Sequence, residues 1–151
     1  MMFLEIIKIL KQRYIGKSFP RSLCFFLFFI FVFNTTALVL LWYRTFFWFD
    51  MLMHTLGGVW AGGVALWFFV SASDKEKAFD TKHIFFISLM SVLFVGIIWE
   101  IYEIVVDVFV RALSYGFIDG LSDLFFDLLG ASFAAAYMIL FRPVSSTNAR
   151  V

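Results

Sequence analysis

Glu100-Ile-Tyr-Glu103-Ile-Val-Val-Asp107 and Asp119-Gly-Leu-Ser-Asp123-Leu-Phe-Phe-Asp127 decide how this chain folds. Each carries acids three or four residues apart through apolar sequence, and residues so spaced stack on one face of an α-helix. A strand would throw Glu100 and Glu103 onto opposite faces. Around them the 151-residue chain is 63% hydrophobic and 15% charged, with 23 Phe, against roughly 45–50% and about 25% in a soluble domain. Mean hydropathy is +0.95. A one-domain globule could not bury so much apolar surface, so the solvent is a bilayer. A net charge of +1 leaves no basic surface for nucleic acid, which is excluded as a partner. Cys24 is the single cysteine, so one chain holds neither a disulfide nor a Cys-based zinc site.

About 20 apolar residues cross the hydrocarbon core. Four stretches qualify: 23–43, 50–71, 84–110 and 121–141. Every backbone amide in lipid must be paired internally and four spans cannot close a barrel, so the expectation is an all-α, integral membrane four-helix bundle. Lys8, Lys11, Arg13, Lys17 and Arg21 precede the first span, Lys75, Lys77 and Lys82 follow the second, and Arg142 and Arg150 follow the fourth. Only Arg44 and Arg111 fall in the other loops. The positive-inside rule therefore puts both termini in the cytoplasm, and Trp42, Tyr43, Phe46, Phe47, Trp48 and Phe49 form an aromatic belt at the outer interface.

Residues 1–22 form a basic cytoplasmic segment. Within it Ile6, Ile7, Leu10 and Tyr14 alternate with Glu5, Lys8, Gln12 and Arg13, as in an amphipathic helix lying on the membrane surface. A plain basic region ahead of a signal anchor is the alternative. Residues 142–151 read as a cytosolic tail, and Asn34 as a residue bonding a neighbouring helix.

Of the eleven acids, Glu5, Asp74, Glu76 and Asp80 belong to cytoplasmic segments. Asp50, Glu100, Glu103, Asp107, Asp119, Asp123 and Asp127, with His54, fall in the outer half of the membrane. Gly58 and Gly62 continue the stripe of His54, Gly96 that of Glu100, and Ala131 and Ala135 that of Asp127. Small residues let helices approach closely, so the acids face the bundle interior. At about 1.5 Å per residue, Asp127 lies roughly 12 Å below Asp119 and Glu100 roughly 10 Å below Asp107. Glu100 then meets Asp127, Glu103 meets Asp123, Asp107 meets Asp119, and His54 lies near the Asp123 level. The set is a funnel of carboxylates closed by glycine and alanine.

A carboxylate at bilayer depth costs at least about 2.5 to 3.5 kcal/mol, and close like charges oppose each other's ionisation. Arg44, Arg111 and His54 can neutralise only part of this charge; protons, a metal cation, a cationic substrate or water must take the rest. Carboxylates with one imidazole suit Mg, Ca or Mn, and also Zn. Simpler roles exist for some members: Asp50 and Asp119 as helix N-caps, Asp107 as an interfacial acid, His54 as a buried hydrogen-bonding residue. Glu100, Glu103, Asp123 and Asp127 have neither a cap nor a water layer to explain them.

Asp50-Met-Leu-Met-His54, Glu100-x-x-Glu103, Arg111 and Asp123-x-x-x-Asp127-x-x-Gly130 resemble the VanZ-like membrane proteins. That family shows Asp-Lys-x-x-His, Glu-x-x-Gln, an Arg and Asp-x-x-x-Asn-x-x-Gly, where this chain has Met51, Glu103 and Asp127 at the varied places. The extra acids and the Gly130-Ala131 step are similar to YjdF-type inner-membrane proteins. The resemblance covers spans two to four, about two thirds of the chain. It implies a multi-pass protein of the bacterial cytoplasmic (inner) membrane, and for one branch a role at the envelope in glycopeptide resistance, without supplying a reaction.

Three functions fit these residues. The first is a cation-dependent enzyme acting on a lipid-linked or phosphorylated envelope substrate. There Glu100, Glu103, Asp123 and Asp127 hold the metal and His54, held by Asp50, is the general acid or base; Ser122 is the nearest nucleophile, and equally a helix cap. The second is a proton- or cation-coupled carrier, which as a homo-oligomer could gain the polar path its own cytoplasmic half lacks. The third is a non-catalytic ligand-binding or assembly protein. The topology is tested by single cysteines in a Cys24→Ser background. Thr45→Cys is expected to be labelled by an impermeant reagent from outside and Glu76→Cys to be protected; the reverse pattern overturns the orientation.

Overall fold

The computed structural model describes residues 20–72, 80–110 and 116–141, without the side chains of Asp107 and Val110. The surface helix expected over 3–15, the tail 142–151, most of the 72–80 loop and Arg111 lie outside the described residues. Among the described residues five α-helices follow one another: α1 (Arg21–Val39), α2 (Trp42–Thr45), α3 (Phe49–Ala72), α4 (Thr81–Val105) and α5 (Phe117–Phe141). Beyond α4 the chain continues as a π-helix, Val106–Val110. No strand occurs among the described residues. The helices α1, α3, α4 and α5 have the 19, 24, 25 and 25 residues and the apolarity needed to cross a membrane. The protein is a four-helix membrane bundle.

The first span ends earlier than its hydropathy predicts. Leu41 adopts φ 57°, a left-handed conformation that costs a side-chain-bearing residue about 1–2 kcal/mol, and the chain breaks there instead of running helical to residue 43. Aromatic packing holds the break. The Trp42 ring stands edge-on to Phe33 at 5.8 Å and to Phe49 at 5.5 Å, and Tyr43 edge-on to Phe49 at 4.9 Å. Phe49, 1% exposed, is the hub of this cluster and the first residue of α3.

Neighbouring side chains give the helix directions. Trp60 Nε1 donates to the Leu23 carbonyl at 3.0 Å, while Phe33 meets Phe49 at the other end, so α1 runs antiparallel to α3. Ser88 Oγ donates to the Ala131 carbonyl at 2.8 Å, and Gly96 faces Asp127, so α4 runs antiparallel to α5. The closest crossing is between α3 and α5. Gly58 lies against the Asp127 carbonyl, and Gly130 against the Thr55 carbonyl and the Val59 amide, with no room for a side chain at either glycine. One turn further, Gly62 faces Ser88 and Ala134. Leu66, Ile84, Ala134 and Ala135 then form the apolar core at the end of the bundle remote from the acids. Phe25, Phe28, Phe94, Phe133 and Tyr137 point outward, where lipid is as apolar a solvent as a protein core.

A paired substitution separates crossing from propensity. Gly58→Ala must push the α5 backbone away and is expected to lower stability by about 1–3 kcal/mol or more. Gly57→Ala, whose Cβ meets nothing within 4 Å, is expected to melt at or above the wild-type temperature, since Ala is the better helix former. Thermal unfolding in detergent measures both; equal effects would refute the crossing.

Candidate functional site

Three helices deliver the polar side chains to one end of the bundle. The first two turns of α3 carry Asp50 and His54, the last two of α4 carry Glu100 and Glu103, and α5 carries Asp123 and Asp127. Glu100, Asp123 and Asp127 are 7%, 4% and 8% exposed, so these carboxyl groups have left water. Asp50 is half-buried, with 42% of its side chain exposed, and sits at the rim.

His54 is enclosed by acids. Its Nδ1 lies 3.3 Å from Asp127 Oδ1, and its Nε2 lies 3.7 Å from Asp123 Oδ1 and 3.9 Å from Asp50 Oδ1. A neutral imidazole has one donor and one acceptor. With the proton on Nδ1, His54 donates to Asp127 and turns the Nε2 lone pair toward Asp50 and Asp123. Two donor groups result, Asp50 with His54 and Asp123, and Glu100 with Glu103 and Asp123; the ligand atoms within each lie within 4.8 Å of one another. Asp123 belongs to both.

The sequence-derived register shifts by about one turn. Glu100, expected opposite Asp127, instead gathers with Glu103 and Asp123. Asp127 lies one turn deeper, where a Cβ on Gly96 would come within 2.8 Å of its Oδ2. The reason is that Gly96 has no side chain and leaves the space into which Asp127 settles. Asp50 and Asp119 are not N-caps, because α3 and α5 begin before them and both lie within the first turn. That is still a position where the helix dipole favours an anion. Asp119 is exposed, and the Asp107 side chain is outside the described set. Of the expected compensating cations, Arg44 is exposed on α2.

One member escapes the sequence pattern. Tyr43 reads there as a belt aromatic, yet its hydroxyl donates to Asn34 Oδ1 at 2.6 Å. Asn34 therefore bonds the segment after its own helix. Burial, and then the charges of Asp50 and Glu103, push the Tyr43 phenol up to about 12. Only the break at Leu41 makes this contact, and hydropathy carries no sign of such a break. On α4, the Trp99 indole hydrogen-bonds Glu103 one turn away.

Oxygen donors with one imidazole make a hard-cation environment. A divalent ion is compatible with this donor set, in which the carboxylates outnumber the cations in reach.

The chain belongs to a family described as a predicted membrane protein (DUF2238), whose model matches residues 1–143. No curated protein and no solved structure matches it.

The Tyr43 hydroxyl is expected to keep its proton well beyond the ordinary tyrosine range. Its hydrogen bond stabilises the fold fully below pH 10 and is lost as the pH rises through about 12. The difference in tyrosinate absorbance between wild type and Tyr43→Phe should titrate near that value; titration near 10 would place the hydroxyl away from the acids.

Proposed function

We propose that this member of the family is a cation-dependent enzyme of the bacterial inner membrane, acting on a lipid-linked or phosphorylated envelope substrate. The observation that carries the reading is Asp123, 4% exposed and common to both donor groups. Carboxylates so close in a poorly hydrated place repel each other, and a divalent cation turns that repulsion into a ligand set.

Glu100, Glu103 and Asp123 are the ligands. Asp127 orients His54 through Nδ1 in place of the ligand role its sequence position suggests, as acids behind metal-site histidines commonly do. His54 Nε2, beside the half-exposed Asp50, exchanges the proton. A bound divalent cation would supply polarisation of a phosphate or ester oxygen. Below the acids Gly58, Gly62, Gly96, Ala131 and Ala135 pack closely, which supports a closed-ended site over the through path a carrier needs. The lysine and arginine distribution supports placing the site in the outer half of the membrane, with both termini cytoplasmic.

Metal analysis of detergent-purified protein, combined with melting curves, tests this. Protons and a cation compete for the same oxygens. Chelator is therefore expected to lower the melting temperature by several degrees near pH 8 and little near pH 5, and Asp123→Asn to abolish both the bound metal and the chelator effect. A melting curve indifferent to chelator at both pH values overturns the proposal.

A further inference from the structure

Asp50, His54 and Asp123 make a donor set of their own, with the imidazole between two acids. Asp127 takes the Nδ1 proton of His54 at 3.3 Å, which leaves Nε2 as a lone pair. That nitrogen stands 3.7 Å from Asp123 Oδ1 and 3.9 Å from Asp50 Oδ1. Both separations are too long for a hydrogen bond. They suit atoms that share an ion: two ligands each about 2.1 Å from one zinc lie about 3.4 Å apart at the tetrahedral angle, and never more than about 4.2 Å apart.

Asp123 points the same way on separate grounds. Its side chain is 5% exposed, yet among the described residues it makes no hydrogen bond. A carboxylate taken out of water and given no donor is costly, and a bound cation removes that cost. With two oxygens it has lone pairs for more than one ion, so a cation held with Glu100 and Glu103 does not exhaust it.

The surroundings of His54 are those of a metal-binding histidine. An acid behind the ring fixes its tautomer and aims the other nitrogen. The backbone contact of α3 and α5 at Gly58 and Gly130 holds His54 and Asp123 on packed helices instead of loops, which keeps ligand positions tight. Asp50, with 42% of its side chain exposed, gives the entry path an exchangeable ion needs. Ligand chemistry then separates the two donor groups. Glu100, Glu103 and Asp123 offer oxygen alone and suit a hard cation, whereas a nitrogen with two carboxylates suits zinc.

We infer that Asp50, His54 and Asp123 form a second cation site, of the zinc type, which shares Asp123 with the first. It rests on the proposed function only for Asp123 as a cation ligand. Nε2 has a single lone pair, so an ion bound there excludes proton exchange there. The second ion therefore switches His54 off, as a regulator of the site instead of a second cofactor.

The test uses the full chain without a histidine tag, in a Cys24→Ser, His83→Gln background that removes the one cysteine and the other of the two histidines. After dialysis against Zn²⁺, elemental analysis counts bound zinc, and X-ray absorption at the zinc edge detects imidazole by its outer-shell scattering. Two zinc ions per chain and an imidazole signal are expected. His54→Gln should leave one zinc and no imidazole signal. Asp50→Asn, at the half-exposed rim where the fold is least at stake, should weaken the imidazole-bound zinc about tenfold or more, and Glu103→Gln should leave that zinc in place. One zinc without the imidazole signal overturns the second site and keeps the oxygen-only group. One zinc with the signal, untouched by Glu103→Gln, keeps the second site and removes the ligand set of the proposed function. Imidazole-bound zinc as tight in Asp50→Asn as in the parent overturns this donor set, and absence of zinc overturns both.

Discussion

Everything at the site end of the bundle depends on the backbone-to-backbone approach of α3 and α5 at Gly58 and Gly130. In lipid, apolar side chains gain nothing by leaving their solvent, so helix association rests on close packing and interhelical hydrogen bonds. The crossing supplies the first. It also sets the separation at which His54 on α3 meets Asp123 and Asp127 on α5. A wider spacing would draw the imidazole away from both. Packing and chemistry are here the same constraint: the glycines that join the helices fix the reach between their functional groups.

The same constraint explains how this membrane protein tolerates its acids. A buried carboxylate is stable only when paired and hydrogen-bonded, and all three acids around His54 lie within 4 Å of its ring nitrogens, with Asp127 at 3.3 Å from Nδ1 the one within hydrogen-bond reach. The acids of α3 and α5 are thus gathered around one side chain. Glu103 is tied back by its own helix neighbour Trp99, and Asp127 gains its place because Gly96 vacates it.

Much of this arrangement is legible in the sequence because membrane helices obey few rules strongly. Length and apolarity mark the four spans, and three- and four-residue spacing assembles Glu100 with Glu103 and Asp123 with Asp127 on common faces. The register between helices is not legible to better than a turn. Depth counted at 1.5 Å per residue treats helices as straight rods with equal side chains, and it pairs Glu100 with Asp127; the small volume of Gly96 moves the pairing to Asp123. The end of α1 is hidden for a related reason. Leu40 and Leu41 continue the apolar run and Trp42 is aromatic, and the break among them is packed by the rings of Phe33, Trp42, Tyr43 and Phe49, an interaction between segments that hydropathy along one segment cannot express. With the break hidden, Tyr43 could not be placed beside the acids.

The dominance of the α3–α5 crossing also has a bearing on how the chain is made. The ribosome delivers α3 before α4 and α4 before α5, so the partner that α3 packs against most closely arrives only after α4. Until then Gly58 has nothing to receive it, and His54 lacks two of its three acids. During synthesis the acids of α4 precede the helix that completes their surroundings. A bundle that pairs non-neighbours in sequence thus postpones the meeting of His54 with Asp123 and Asp127 until α5 has joined α3.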